Sequence, residues 1–154
     1  MRISIGQPTR SPLQFRTILN TESPPEIYEM PIGVQAADID RQNHVNNTVY
    51  VRWIQEVATA HWEARAPAEV CDAIGWVVLR HEIDYKSPAC LGDELVLRTW
   101  VGKATRATFE RFVEVVRKND RQLVAQARTL WVPINPETAK PTRVPPEVRA
   151  RFST

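Results

Sequence analysis

Apolar residues recur at Val49, Trp53, Val57 and Ala60, with Tyr50, Ile54 and Ala58 on the adjoining row. Steps of three and four predict a helix with a wide apolar face. Asn46 or Asn47 caps its first turn and Pro67 stops it, which gives about twenty residues, or roughly 30 Å. Beyond Gly75 the period falls to two: Leu79, His81, Ile83 and Tyr85 share the core face of a strand, and Arg80, Glu82, Asp84 and Lys86 share the wet one. Turns at Leu91-Gly92-Asp93, Gly102-Lys103 and Lys118-Asn119-Asp120-Arg121 then separate strands over Glu94–Val101, Thr108–Arg117 and Gln122–Ile134, an antiparallel meander. Upstream, Glu26–Val34 is apolar and partly β-branched, but Pro31 confines it to a sheet edge or a break. Glu147–Phe152 makes one surface turn of helix.

Strand, polar loop, long helix and four strands define an α+β domain whose helix buries against one face of an antiparallel sheet. Two edge strands remain, and pairing them across a two-fold axis predicts a homodimer. The 154 residues fit one domain, with residues 1–25 an N-terminal extension ending at Pro24-Pro25 and 26–154 the folded unit. Hydrophobic residues at 43% and charged residues at 25% exclude disordered, collagen-like and disulfide-scaffold classes. A net charge of +2 and the lack of a long apolar run call for neither nucleic acid nor membrane as partner. Cys71 and Cys90 lie far apart without CxxC spacing, so no metal site is expected and a reducing compartment is. With no secretory apolar segment, the expected location is cytoplasmic.

The chemistry concentrates in ten residues, Asp38 to Asn47, which hold two carboxylates, an imidazole and four amides just before the helix. A helix N-terminus presents free N–H groups and positive potential, which suits a developing oxyanion. A carboxylate beside it serves as general base or nucleophile, and His44 moves a proton or holds a carboxylate or water in place. The same residue types also serve any turn or cap, so composition alone leaves a purely structural loop open.

The pattern Asp-x-Asp-x-x-x-His-Val-Asn-Asn-x-x-Tyr-x-x-Trp, Asp38 to Trp53, resembles the signature of hotdog-fold thioesterases. These are the 4-hydroxybenzoyl-CoA thioesterase-like acyl-CoA thioesterases and the related acyl-carrier-protein thioesterases. The resemblance continues through Arg80 to Pro88 and Leu91 to Leu95, and through Ala125 to Pro133 with Pro141 to Pro145, so it covers about residues 26 to 150. It implies a hotdog fold, a long central helix wrapped by an antiparallel sheet, and hydrolysis of acyl-CoA or acyl carrier protein thioesters. It further implies a homodimer or homotetramer and no metal or redox cofactor.

Carried over residue by residue, Asp40 matches the carboxylate that attacks the thioester carbonyl or activates water, and Asp38 is a loop-fixing carboxylate. The backbone N–H groups of Asn46, Asn47 or Thr48 match the donors that polarise the carbonyl. His44 and Asn47 order the loop and the water. Gln42 stands where the plant enzymes have Asn, and Ala89 where they have Glu, two departures from the plant-type mechanism. Lys103 and Arg106 fall where the aromatic-CoA thioesterases place cations against nucleotide phosphates, with Lys86 a weaker candidate. Tyr50 is the aromatic expected to line a pocket, while the five tryptophans fit core and dimer interface.

Cys90 reads as a small buried apolar residue rather than a nucleophile, Glu56 as a polar-face carboxylate, and His61 and His81 as packing histidines. Two rivals share the fold. A hydratase or dehydratase loop resembles Asp-x-Asn-Pro-x-His, one residue longer than Asp40 to His44 and with a proline that is missing here. A non-catalytic acyl-thioester-binding protein would keep the loop for shape alone.

Overall fold

In a computed structural model, which describes residues 24–153, the chain runs β1 (Tyr28–Gly33), a 3-10 turn (Ala36–Asp38), α1 (Asn47–Arg65), α2 (Ala68–Ala73), β2 (Gly75–Tyr85), β3 (Glu94–Ala104), β4 (Phe109–Arg117), β5 (Leu123–Ile134) and α3 (Pro146–Phe152). All but the last two residues of the expected N-terminal extension lie outside the described residues. The strands form one antiparallel sheet in the order β1-β3-β4-β5-β2. Hairpins join β3 to β4 and β4 to β5, so these three make the middle. β1 carries Pro31 at an edge, where a missing N–H costs no ladder bond on the open side.

The inward positions of the middle strands alternate as expected: Leu95, Leu97 and Val101 of β3, Phe109, Val113 and Val115 of β4, and Ala125 and Ala127 of β5 are buried. Onto them α1 lays Tyr50, Trp53, Ile54 and Val57, the last three essentially without solvent contact. Burying side chains of this size stabilises the pair of layers by about 1.5–3 kcal/mol each. A second apolar cluster at the other end of α1 joins Trp62 and Ile74 to Val148 and Phe152 of α3. One helix against one sheet, with a short helix closing the end, is the hotdog arrangement implied by the loop signature.

Three local expectations change. β2 begins at Gly75 and is irregular between Val78 and Arg80, which puts Leu79 out of register and 59% exposed rather than in the core. Gly102 lies inside β3 instead of in a turn, and the reversal comes at Thr105–Ala107. A Cβ at Gly102 would stand 2.6 Å from the Phe112 ring and 2.7 Å from the Glu110 carboxylate, so the glycine serves close cross-strand packing. Finally, α2 fills the step from Pro67 to Ile74, a helix too short to show a period in sequence.

Candidate active site

The loop before α1 is held by a buried carboxylate. Asp38 is 3% exposed; its Oδ1 accepts from Arg52 Nη2 at 2.6 Å and its Oδ2 from the Gln35 N–H at 2.9 Å. Arg52 in turn pairs with Glu56 at 3.4 Å, one helical turn on. Asp38 is therefore the fixing group of the loop, as its position implied, and Glu56 sits on the exposed face. The Asp40 N–H donates to the His44 carbonyl at 2.9 Å, and Asn43, in the left-handed region at φ 62°, closes the tight reversal between them. The Val45 N–H then donates to the Ala89 carbonyl, which ties the loop to the segment after β2. Ala89 is fully buried, so the plant-type glutamate position is filled here by a wall methyl.

Asn46 is the N-cap. Its Oδ1 accepts from the Thr48 N–H at 2.9 Å and from the Thr48 hydroxyl at 2.8 Å, while its own N–H donates to the Asp38 carbonyl at 2.8 Å. Two of the three amides expected at a substrate carbonyl are thus engaged within the protein, which corrects the expectation for Asn46 and Thr48. The Asn47 N–H has no acceptor among the described residues. The Asn47 carbonyl accepts from the Tyr85 hydroxyl at 3.0 Å, so the end of β2 fixes the first turn of α1.

A surface groove gathers Asp40, His44, Asn47 and Tyr50 with Tyr85 and Lys86. Asp40 and His44 are half-buried. The Asp40 Oδ1 accepts from the Gln42 N–H at 2.8 Å, and no side-chain hydrogen bond joins Asp40 to His44; the backbone alone couples them. Tyr50 is buried beneath the groove, and burial pushes its hydroxyl up to about 12, partly offset by a backbone hydrogen bond from Ala89. It stays protonated and meets Tyr85 edge to face at 5.3 Å.

Four predicted site residues, Asp40, His44, Asn47 and Tyr50, thus meet in one place. Lys103 and Arg106 do not. They line a different trough with Arg143 and Arg149, at the C-terminal end of α1, where Arg151 donates to the Arg65 carbonyl and Arg149 to the Ala104 carbonyl. The length of α1, about 28 Å, separates the two within one subunit. Lys86, the weaker candidate, is the cation at the groove. Sequence reasoning missed Tyr85 as a groove residue, although its position on the apolar side of β2 was the available signal. Cys90 is exposed rather than buried, with its N–H donating to Asp93 Oδ2. Burial does hold for the histidines: His61 has no solvent contact, and His81 is half-buried with its pKa lowered by burial. Among the described residues no three His, Cys, Asp or Glu gather as a metal site, and no helix is long and apolar enough to cross a membrane.

Comparison with known proteins identifies the family and the fold. Residues 34–152 match the family model of the Thioesterase-like superfamily. The chain is 25% identical over 129 residues to the acyl-CoA thioester hydrolase YbgC of Escherichia coli, covering 82% of this chain and 96% of that protein. It is 25% identical over 149 residues to the chloroplastic acyl-[acyl-carrier-protein] hydrolase FATB2 of Cuphea viscosissima, 94% of this chain but 34% of that one. Its fold superposes on Slr0204, a 1,4-dihydroxy-2-naphthoyl-CoA thioesterase from Synechocystis, with a TM-score of 0.71 at 19% identity, over 82% of this chain and 95% of the other. The chain belongs to the thioesterase-like superfamily and has the hotdog fold of its solved members.

Proposed function

We propose that the protein hydrolyses acyl-CoA thioesters at the groove before α1. The observation that carries this reading is the free Asn47 N–H, set at a helix N-terminus beside a half-buried carboxylate, Asp40, that keeps one oxygen without a protein partner. The N–H and the helix dipole stabilise negative charge as it develops on the thioester oxygen. Asp40 takes a proton from water as the water oxygen adds to the carbonyl carbon, or adds to it directly and is then released by water. Either way the carbon–sulfur bond breaks, the thiolate takes up a proton, and the acid is released. His44, whose carbonyl receives the Asp40 N–H, and Asn47 hold the loop and the attacking water in register.

The reading extends to assembly. β2 is an eleven-residue edge strand with Val77, Leu79 and Tyr85 exposed, while the opposite edge carries Pro31. Antiparallel pairing of two β2 strands about a two-fold axis would set Gly75 of one copy beside Tyr85 of the other. Lys103 and Arg106 of the partner subunit then lie on the same side as the groove. This arrangement lets them meet the nucleotide phosphates of CoA, a role that their separation within one chain would otherwise deny them.

Thiol release measured with a colour reagent across aromatic, short-, medium- and long-chain acyl-CoAs and acyl carrier protein thioesters tests the activity. Release by the protein is the expected result, with the preferred acyl group describing the pocket. Tight acyl-CoA binding without thiol release would assign the loop to binding alone, and loss of enoyl-CoA absorbance without thiol release would assign it to hydration.

A further inference from the structure

We infer that the cavity between the C-terminal half of α1 and the sheet binds a small apolar carboxylate, whose carboxylate pairs with Arg111. The cavity measures about 290 Å³ and its walls are largely aromatic, with Trp62, Trp76, Phe109, Trp131 and Phe152 around Arg111. Exposed Thr59 and Glu63 mark its mouth. Arg111 points inward from the third position of β4 and is 8% exposed.

The partners given to Arg111 are neutral. Its Nη1 donates to Nδ1 of His61 and to Oγ1 of Thr99, each at 3.0 Å. Its Nε and Nη2 donors have no acceptor among the described residues, and no carboxylate, Glu63 included, lies within ion-pair distance. Elsewhere on the sheet the arginines are matched: Arg98 pairs with Glu29 and Glu114, Arg117 with Asp93 and Asp120, and Arg128 with Glu82 and Glu110. Burial lowers the Arg111 pKa to about 10, which leaves it charged at neutral pH. His61 supplies no compensating charge: burial, then Arg111 and Arg65, push it down to about 3, so it accepts from Arg111 as the neutral ring. Its remaining Nε2, and the indole nitrogens of Trp62 and Trp76, are buried without partners.

An unpaired buried cation is costly and persists where something answers it. A planar two-donor fork fits a carboxylate, and the aromatic walls fit a ring or short chain attached to it. The volume sits at the lower end of small-ligand cavities, which limits the body to one ring or a short chain. Within one chain this site is separate from the groove: Trp62 lies fifteen residues beyond Asn47, about 22 Å along the helix, with fully buried Trp53 and Val57 between.

The experiment titrates the full-length protein with benzoate, phenylacetate and octanoate, and with benzamide and octanol as neutral counterparts. Readouts are tryptophan emission, since three tryptophans line the cavity, and heat of binding. Saturable binding is expected, with acids roughly ten- to hundredfold tighter than the matched neutral compounds. In Arg111→Met that preference should disappear, and Arg111→Lys should keep only part of it. Equal affinity for acid and amide, the absence of saturable binding by any acid, or an undiminished preference in Arg111→Met would each overturn the assignment. Arg111→Gln is the second variant where Arg111→Met does not fold, and a preference for acid over amide that survives in it would equally overturn the assignment.

Discussion

The two ends of α1 solve opposite problems. At the N-terminus the groove is open and polar, and the loop is held by hydrogen bonds of its own: Asp38 with Arg52 and Gln35, Asn46 with Thr48, Asp40 with Gln42. Facing the groove, the Asn47 N–H and one oxygen of Asp40 are left free beside the His44 ring. Toward the C-terminus the surroundings are apolar and aromatic, and a whole guanidinium is left without an opposing charge. In both places the informative feature is the group that the fold leaves unpaired. A structural element satisfies its own polar groups, and the exceptions mark where another molecule enters.

Substitutions can break this contrast or sharpen it. The largest effect is expected from Asp40→Asn, which keeps the Gln42 turn but removes the basic oxygen: thiol release should fall by about a hundredfold or more, while the melting temperature stays within a few degrees. Next comes the pH response of the other end. His61 titrates near its ordinary 6.5 when unfolded and at about 3 when folded, so across that window the unfolded chain binds a proton that the folded chain does not. Stability should therefore fall as the pH drops below about 6.5, by up to about 1.4 kcal/mol per unit, and show no contribution from this group above it. His61→Gln should flatten the acid limb of denaturant midpoint against pH, whereas a substitution at the groove should not. Smaller again, Asn46→Ala removes the cap and should cost about 1 kcal/mol in chemical denaturation. Smallest is Glu56→Gln: the exposed pair with Arg52 contributes no more than about 1 kcal/mol, and thiol release should be unchanged.

The fold was legible where periodicity ran long. The period of α1, the strands of the meander and the edge position implied by Pro31 all follow from side-chain spacing alone. β2 was misread at Leu79 because a single irregularity at Val78 reverses which face a residue shows, and nothing in a string of residue types reports it. Gly102 looked like a turn because glycine marks both turns and close packing, and only the Phe112 ring across the ladder distinguishes them. In the loop, residue identity led to Asp40, His44 and Asn47 but not to which amide is free, since that depends on Asn46 turning its own side chain onto Thr48. Lys103 and Arg106 were read by resemblance as cations for the nucleotide phosphates, and where they stand relative to the loop, at the far end of α1, follows from chain topology that residue identity does not show. Arg111 carried no signal at all: an arginine alternating with Phe109 and Val113 in a strand shows nothing of being unpaired until His61 and Thr99 are seen to be its neutral neighbours.

Activation of the thioester rests on the backbone N–H of Asn47, and this group can be changed almost alone. Proline is favoured at the first position of a helix, and Asn46 already has the extended conformation, φ −61° and ψ 138°, that a following proline requires. Asn47→Pro therefore removes the free N–H with the fold retained, and Asn47→Ala removes the side chain but keeps the N–H. Measured side by side for thiol release from the best acyl-CoA, the proline variant should lose about a hundred- to a thousandfold in kcat relative to the alanine variant. Equal turnover by the two, at matched melting temperature, would contradict the claim that this amide activates the thioester.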